Sequence, residues 1–508
     1  MQLLKHLVAL VSICGVVGTL ATAAQFSPGN VVVVRVGTGA AALTSAATPV
    51  YLDEYTPAGV LVQSLALPTA AVGTQLPLVN SGTASSEGFL NLSADGRYLL
   101  HAGYGAVPGT VSIASTASAT TPRVVARVAL DGSIDTSTAL GDAYSASNIR
   151  SVTSTNGIDL WTGGTSSTTG GVRYTTLGAL TSTQLSTVVT NSRVVSIYAG
   201  QLYTSSAVLN FQGVSSVGLG TPTTSAQPIT LLAGFPTAIG PSSYDYCFAD
   251  AATLYVADDR SLAAGGGLQK WTYNGTAWTL AYTLNAGLTA GLRGVTLVPG
   301  SNPAQFYATS ADALTKLVTV SDTGAAAPFT ALVSAAANTA LRGVRVLPAS
   351  QPAVAFCFGD GSGSACPCAN SGAVGAGCAN SINANGATLA GAGFASLAVD
   401  TFVLSGAGMP NSSALYFQGT AQSGAGAGVA FGDGLRCAAG TVVRLGTTAN
   451  VAGGSQYPNA SSSVPISIKG AVPAGATRTY QVWYRNSAVY CTASTFNLTN
   501  GVTVTWSP

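Results

Sequence analysis

Charge is what this chain has least of. Its 508 residues include 19 Lys+Arg and 17 Asp+Glu, or 7% of the total, where soluble proteins average about 25%. Lysine occurs four times, glutamate twice (Glu54 and Glu87) and histidine twice (His6 and His101). A sequence so poor in lysine has no phosphate-tracking surface, which argues against nucleic acid as a partner. One histidine beyond the leader region is too few for a His-rich zinc site. A Ser-His-Asp triad would have to use His101, and nothing nearby reads as a nucleophile elbow. No cofactor or metal motif is expected.

What is present is small and apolar. Hydrophobic residues make up 47% of the chain and there are 61 Gly. Together with abundant Ala, Ser, Thr and Val, this suits short strands joined by small-residue turns. The first residues, MQLLKHLVALVSICGVVGTLATAAQ, read as a signal peptide over 1–24. Lys5 and His6 lead, a short apolar stretch follows, and Ala21–Ala24 supply a small-residue cleavage region. No later segment has the length of a spanning helix, so a secreted or cell-surface location is expected. Cysteine usage agrees. Cys357, Cys366, Cys368, Cys378, Cys437 and Cys491 all fall in the last 152 residues and are expected to form disulfides in an unassigned pairing. Cys247 stands alone and reads as a buried free thiol.

Between Asn30 and Pro348 the sequence repeats. Leu292-Arg293-Gly294-Val295-Thr296-Leu297 returns as Leu341-Arg342-Gly343-Val344-Arg345-Val346, 49 residues on. Weaker copies start at Glu87, Arg150, Arg193 and Asp245, so six starts are spaced by 63, 43, 52, 48 and 49 residues. A second strand carries an aromatic signature at Tyr98, Trp161, Tyr203, Tyr255 and Tyr307. Units of this length with about four strands predict propeller blades. The last start has too little chain for a blade, so Arg342–Leu347 is expected to be completed by Asn30–Val36, Pro49–Tyr55 and Val60–Leu67. The words LRGVTLVP, NPAQFYATS and LTKLVTVSDTG resemble β-propellers of exported bacterial proteins, a resemblance that implies fold and not chemistry.

From Phe356 the composition turns Cys- and Gly-rich. Strand-like segments then recur at Asp400–Leu404, Ala414–Phe417, Val442–Leu445, Val464–Lys469, Thr479–Tyr484 and Val502–Trp506, with no helix signal, which suggests a β-sandwich. FCFGDG, CPC and YQVWYRN resemble a C-terminal module of exported bacterial proteins that implies no particular activity. The expected fold is therefore all-β: a six-bladed β-propeller (alternatively seven-bladed) over 25–350, a connector over 351–380 and a disulfide-stapled β-sandwich over 381–508.

The repeat places Glu87, Arg150, Arg193, Asp245, Arg293 and Arg342 at one slot of successive units, as a ring at one channel mouth. Such a ring suits an anionic ligand held by bidentate guanidiniums. Alternatively, its members neutralise one another and fasten blades, which is the favoured outcome. Alternation puts Trp483 and Arg485 on one strand face, where they would stack on a sugar, although a core-filling Trp483 is preferred. Asp245, Asp250, Asp258 and Asp259 form the densest carboxylate cluster, best read as turn residues. Asp360 and Asp433 sit in Gly-Asp-Gly turns without a calcium-loop pattern. The functional expectation is a non-enzymatic surface-binding or envelope-structural protein whose partner is an acidic polysaccharide or another surface protein. The alternative is a propeller-type glycoside hydrolase or lyase acting outside the cell.

Overall fold

Valine-rich Val31–Val36 is flanked on both sides by strands that come from opposite ends of the repeat region. Val31 pairs with Val346 and Val33 with Val344 on one edge, while Val31 pairs with Tyr55 and Val36 with Val50 on the other. Leu61–Ala66 completes this unit by pairing with Ala47–Tyr55. The computed structural model describes residues 25–506 except 239, 349–352, 398–399, 474 and 487–489. The expected leader lies outside the described residues.

Four further sheets have four strands each, spanning 149–184, 195–231, 243–284 and 292–334 in simple antiparallel order. Another four-strand set runs Leu90–Leu92, Tyr98–Tyr104, Arg123–Ala129 and Ile134–Leu140. It is joined to the closure unit through Val79–Ser81. This is a propeller-like all-β arrangement.

The units are fastened to one another in a circle. The Gly343 N–H donates to Gly88 O, and the Phe89 N–H to Arg150 O. Ser151 Oγ donates to Arg193 O at 2.8 Å, and Ser205 Oγ to Tyr244 O. The Val295 N–H reaches Asp245 Oδ2 at 3.1 Å, and Thr309 Oγ1 donates to Arg342 O at 2.5 Å. Each bond joins the first or second strand of one unit to the start of the next, so neighbouring units are held together at their first strands.

The repeated glycine has a steric origin in this circle. A Cβ on Gly343 would lie 2.1 Å from Leu90 N, and one on Gly294 would lie 2.6 Å from Thr309 Oγ1. The aromatic signature serves the same joints further out. Trp161 Nε1 donates to Pro222 O at 2.7 Å, Tyr255 OH to Asp322 Oδ2 at 2.5 Å and Tyr307 OH to Pro57 O at 3.2 Å, each on the following unit.

Beyond residue 352, two sheets pack over a shared core. One contains Val354–Phe356, Ser413–Gly419, Val443–Ala449, Thr477–Arg485, Phe496–Leu498 and Gly501–Thr505; the other contains Thr388–Ala392, Val403–Ala407 and Ser455–Tyr457. Leu389, Leu404 and Tyr457 from the smaller sheet meet Tyr416, Tyr480, Tyr484 and Val502 from the larger. The strand expected at Val464–Lys469 is instead a single helical turn, Ile466–Lys469. Pro465 supplies the reason, because its ring fixes φ for a helix start and its carbonyl accepts the Lys469 N–H.

All six tail cysteines are paired: Cys357–Cys437, Cys366–Cys378 and Cys368–Cys491, with sequence separations of 80, 12 and 123. Cys247 is free and half-buried, and burial raises its thiol pKa far above the usual range.

Closing loops of this size is worth about 2–4 kcal/mol per bridge. Reductant should therefore unfold residues 357–508 at a lower temperature while the repeat region keeps its transition. Calorimetry with and without reductant checks this, and a common shift of both transitions would contradict it.

Candidate functional site

Strand pairing fixes the register of the six-residue slot and corrects two of its members. Ser243 pairs with Asp258 and Tyr246 with Val256, as Leu292 pairs with Ser310 and Val295 with Ala308. Tyr244 therefore corresponds to Arg293, and Asp245 to Gly294. In the same way the Ser93 N–H donates to Tyr98 O where the Val298 N–H donates to Gln305 O, so Gly88, not Glu87, occupies the slot. The sequence-only alignment slipped by one residue because neither unit carries the Leu-Arg-Gly word. Arg150, Arg193, Arg293 and Arg342 do share the position.

The displaced carboxylates have other work. Asp245 is fully buried and faces Arg345, whose Nη1 lies 2.7 Å from Oδ2 and Nη2 3.1 Å from Oδ1. Arg345 Nη2 also donates to Asn91 Oδ1 at 2.5 Å, and Nη1 to Val295 O at 2.8 Å. Asn91 Nδ2 in turn donates to Val152 O and Val195 O, at 2.7 and 2.9 Å. One arginine, one aspartate and one asparagine thus touch the first strand of all six units. Sequence reasoning passed over Arg345 and Asn91. The available signal was the difference between the two best copies, where Thr296 is replaced by Arg345.

Glu87 belongs to a second cluster at the mouth. Its carboxylate accepts from Tyr104 OH at 2.7 Å and Asn148 Nδ2 at 2.9 Å, with Arg342 Nη1 at 3.4 Å. Arg342 Nη2 donates to Ser81 O and Gly82 O. Arg150 Nη1 reaches Asn191 Oδ1 and Ser192 O, and Arg193 Nη1 reaches Ser242 Oγ and Ser243 O, again on the next unit in each case. Arg193 also lies 3.9 Å above the Tyr244 ring. Arg293 is different: it points back to Asp259, at 3.5 Å. Blade-to-blade fastening therefore occupies Arg150, Arg193 and Arg342.

The guanidiniums are close enough to repel. Burial first, then Arg193, pushes the Arg150 pKa down to about 10. Burial also lowers Arg193 and Arg342, with Arg293 contributing in the same direction to both. Nε of Arg150 and of Arg293 is buried without a hydrogen-bond partner. A cavity of about 330 Å3 opens between Glu87, Phe89, Arg293 and Arg342.

The remaining carboxylate candidates are held in place by local bonds. Asp258 is buried and bidentate to Arg260, with Gln269 at 2.9 Å. Asp250 accepts the Ala252 N–H of its own turn. Asp360 accepts from Ser362 and Gly375, and Asp433 from Thr492 and Asn486. His101 is fully buried, with Nε2 2.8 Å from Asn80 Oδ1. Burial, opposed by a backbone hydrogen bond to Phe89 and aided by Arg342, holds its pKa down to about 3.

Trp483 does not fill the tail core, contrary to the favoured expectation. Tyr480, Val482 and Tyr484 do so, and alternation turns Trp483 outward against Phe417 and Phe496. Arg485 lies over its ring at 5.6 Å. Gln481, on the same face, is buried and bonds Leu435 O, Thr499 O and the Cys437 N–H.

No protein-family model and no curated protein matches the sequence. Among solved structures, the chain is similar to a 6-phosphogluconolactonase-like protein of Bacteroides uniformis at 11% identity and a TM-score of 0.36, covering 61% of this chain and 83% of that one. It is also similar to TolB of Acinetobacter baumannii (8%, TM-score 0.38, 63% and 67%) and to the GH74 enzyme of Niastella koreensis (16%, TM-score 0.34, 58% and 46%).

Two outcomes follow. Arg345→Met leaves Asp245 buried and uncompensated, which should cost about 3–5 kcal/mol in chemical denaturation. Adding Asp245→Leu should recover part of that loss; no recovery would mean the pair is not the fastening. For His101, a folded pKa of about 3 lies below the ordinary 6.5, so its contribution is complete above pH 6.5 and is lost as pH falls toward 3. Unfolding free energy should fall by about 1.4 kcal/mol per pH unit between pH 6.5 and 5, and His101→Asn should flatten that slope.

Proposed function

We propose that this chain is an exported, non-enzymatic binding scaffold. It comprises a signal peptide (1–24), a six-bladed β-propeller closed by its own termini (25–350), a connector (351–380) and a β-sandwich (381–508). Three disulfides in the tail favour an oxidising, extracytoplasmic setting. Binding is favoured over acid–base chemistry because the carboxylates are engaged. Glu54 accepts from Ser27, Asn30 and Gln63, Glu87 and Asp245 face arginines, and Asp322 faces Lys270, Tyr255 and Tyr282. General acid–base work needs a carboxyl free to exchange its proton with substrate.

The observation that carries the reading is the charge balance at the mouth. Four arginines (150, 193, 293 and 342) face two carboxylates, Glu87 and Asp259, while Asp258 is balanced by Arg260. The surplus of two positive charges, some with unspent N–H donors, suits an anionic polymer such as an acidic polysaccharide. Arg293 is the partly exposed one, with 24% of its side chain accessible, whereas Arg150, Arg193 and Arg342 are structural fasteners.

Affinity electrophoresis through polygalacturonate tests this. The chain should be retarded at low salt, with retardation weakening as salt rises. Arg293→Gln should raise the apparent Kd at least about threefold while the thermal midpoint stays near that of the parent. Retardation unchanged in that variant would refute the mouth as the binding site.

A further inference from the structure

The outer face of the larger tail sheet is closed at one end and open at the other. Around Gln481 the Leu435–Cys437 segment, tied to the connector by Cys357–Cys437, lies against it. Around Trp483 nothing among the described residues does, and a pocket of about 500 Å3 remains. That volume lies within the about 300–1,000 Å3 typical of small-molecule sites. Its floor is Leu415, Phe417, Trp483 and Leu498, and its walls are Phe431 and Val442. Phe431 and Val442 remain 43% and 39% exposed, so the concavity displays apolar surface that folding leaves uncovered.

The rim is cationic. Arg436 and Arg444 border the pocket, and Arg485 lies over the Trp483 ring. Arg436 is anchored by Nε to Ala438 O at 3.1 Å, with its guanidinium 6.0 Å from the Phe431 centroid. None of these three arginines has an ion pair among the described residues. The carboxylates of the tail are spent elsewhere: Asp360 and Asp433 as given above, and Asp400 on the Phe402 and Ser467 N–H groups. In a chain with 7% charged residues, three unpaired arginines around one apolar pocket mark a preference for ligand charge.

We propose that this pocket binds an amphipathic anion: an acyl or alkyl body laid on the apolar floor, with a carboxylate or phosphate head between Arg436 and Arg444. The site is independent of the propeller mouth. A neutral sugar fits less well, because its hydroxyls carry no charge to balance the guanidiniums of Arg436 and Arg444 at the rim. A second copy fits poorly too, because a two-fold contact sets the same face against itself and would bring arginines against arginines.

The test uses the disulfide-intact chain lacking residues 1–24 and titrates dodecanoate, dodecyl phosphate, dodecanol and dodecyltrimethylammonium below their micelle concentrations by calorimetry. Both anions should bind saturably at one per chain, dodecanol about tenfold more weakly, and the cation not at all. Arg436→Gln with Arg444→Gln should bring both anions down to the dodecanol level and leave dodecanol unchanged. Leu415→Asp should abolish all binding. Should that variant misfold, the arginine double variant, altered only at the rim, carries the decision. Equal affinity for all head groups, or full anion affinity in the double variant, would overturn the proposal. So would a dimer in sedimentation that dodecanoate fails to dissociate, which would give the face to a second copy. Dodecanoate and dodecyl phosphate together distinguish a carboxylate from a phosphate preference within the same chemistry.

Discussion

A single buried ion pair holds the repeat region to one geometry. Arg345 and Asp245 come from strands 100 residues apart and meet where six first strands converge. Burying two charges is costly and is offset only when their remaining donors and acceptors are satisfied. Here Val295 supplies both a donor and an acceptor, the Tyr246 N–H reaches Asp245 Oδ1, and Asn91 passes the network to Val152 and Val195. The arrangement permits little slack, because the backbone groups of Val295, Val152 and Val195 that it uses lie on three different units. The network therefore ties units far apart in sequence to one centre. The closing strand brings Arg345 into it, so pairing of the chain ends and assembly of the centre form a single event.

The scarcity of charge has a structural consequence. With so few carboxylates, almost every one has been placed where a bond between units or within a turn uses it. Arginine takes the complementary role, since its fork reaches two acceptors at once and remains charged when buried. The four slot arginines show how fastening and exposure divide the same residue type. Arg342 is enclosed and spends its donors on Glu87, Ser81 and Gly82, whereas Arg293 keeps a partly open guanidinium and a distant partner. A site of this kind arises from an incomplete fastening, in which the repeat supplies more cations than the joints consume.

Much of the fold was legible because repetition makes it so. The Leu-Arg-Gly word, the aromatic second strand and the missing half-blade at 342–347 each have a visible counterpart in strand pairing, down to Val31 against Val346. Legibility failed where a residue's meaning depends on a non-local partner. Glu87 and Asp245 were placed in the slot because charge alone was used to align weak copies; their true register follows from hydrogen bonds that sequence does not display. Arg345 has no local signal of its role, because its partner stands 100 residues earlier. Trp483 was assigned to the core on size, but the period-2 rule that put Tyr480, Val482 and Tyr484 on the other face already excluded it. The helical turn at Ile466–Lys469 was missed because an apolar run of that length carries no periodicity of its own, and Pro465 was the cue.

The two parts of the chain solve the same problem by different means. A ring can bind its units by closing on itself, and the repeat region carries one free thiol and no disulfide among the described residues. The tail has an open six-stranded sheet whose outer face must be managed locally. At Gln481 the management is covalent: Cys357–Cys437 ties the connector down, and Gln481 fills the gap beneath with three hydrogen bonds. Two residues further along the same strand, where Trp483 pairs with Leu415, no cover exists among the described residues and the apolar floor faces outward. An uncovered patch on a sheet that is elsewhere stapled shut is costly to retain in a folded chain, since any exposed floor is an aggregation hazard. The arginines that border it offset that hazard by keeping like surfaces apart. The same charges that prevent self-association select what can enter, and solubility and ligand preference are therefore set by one group of side chains.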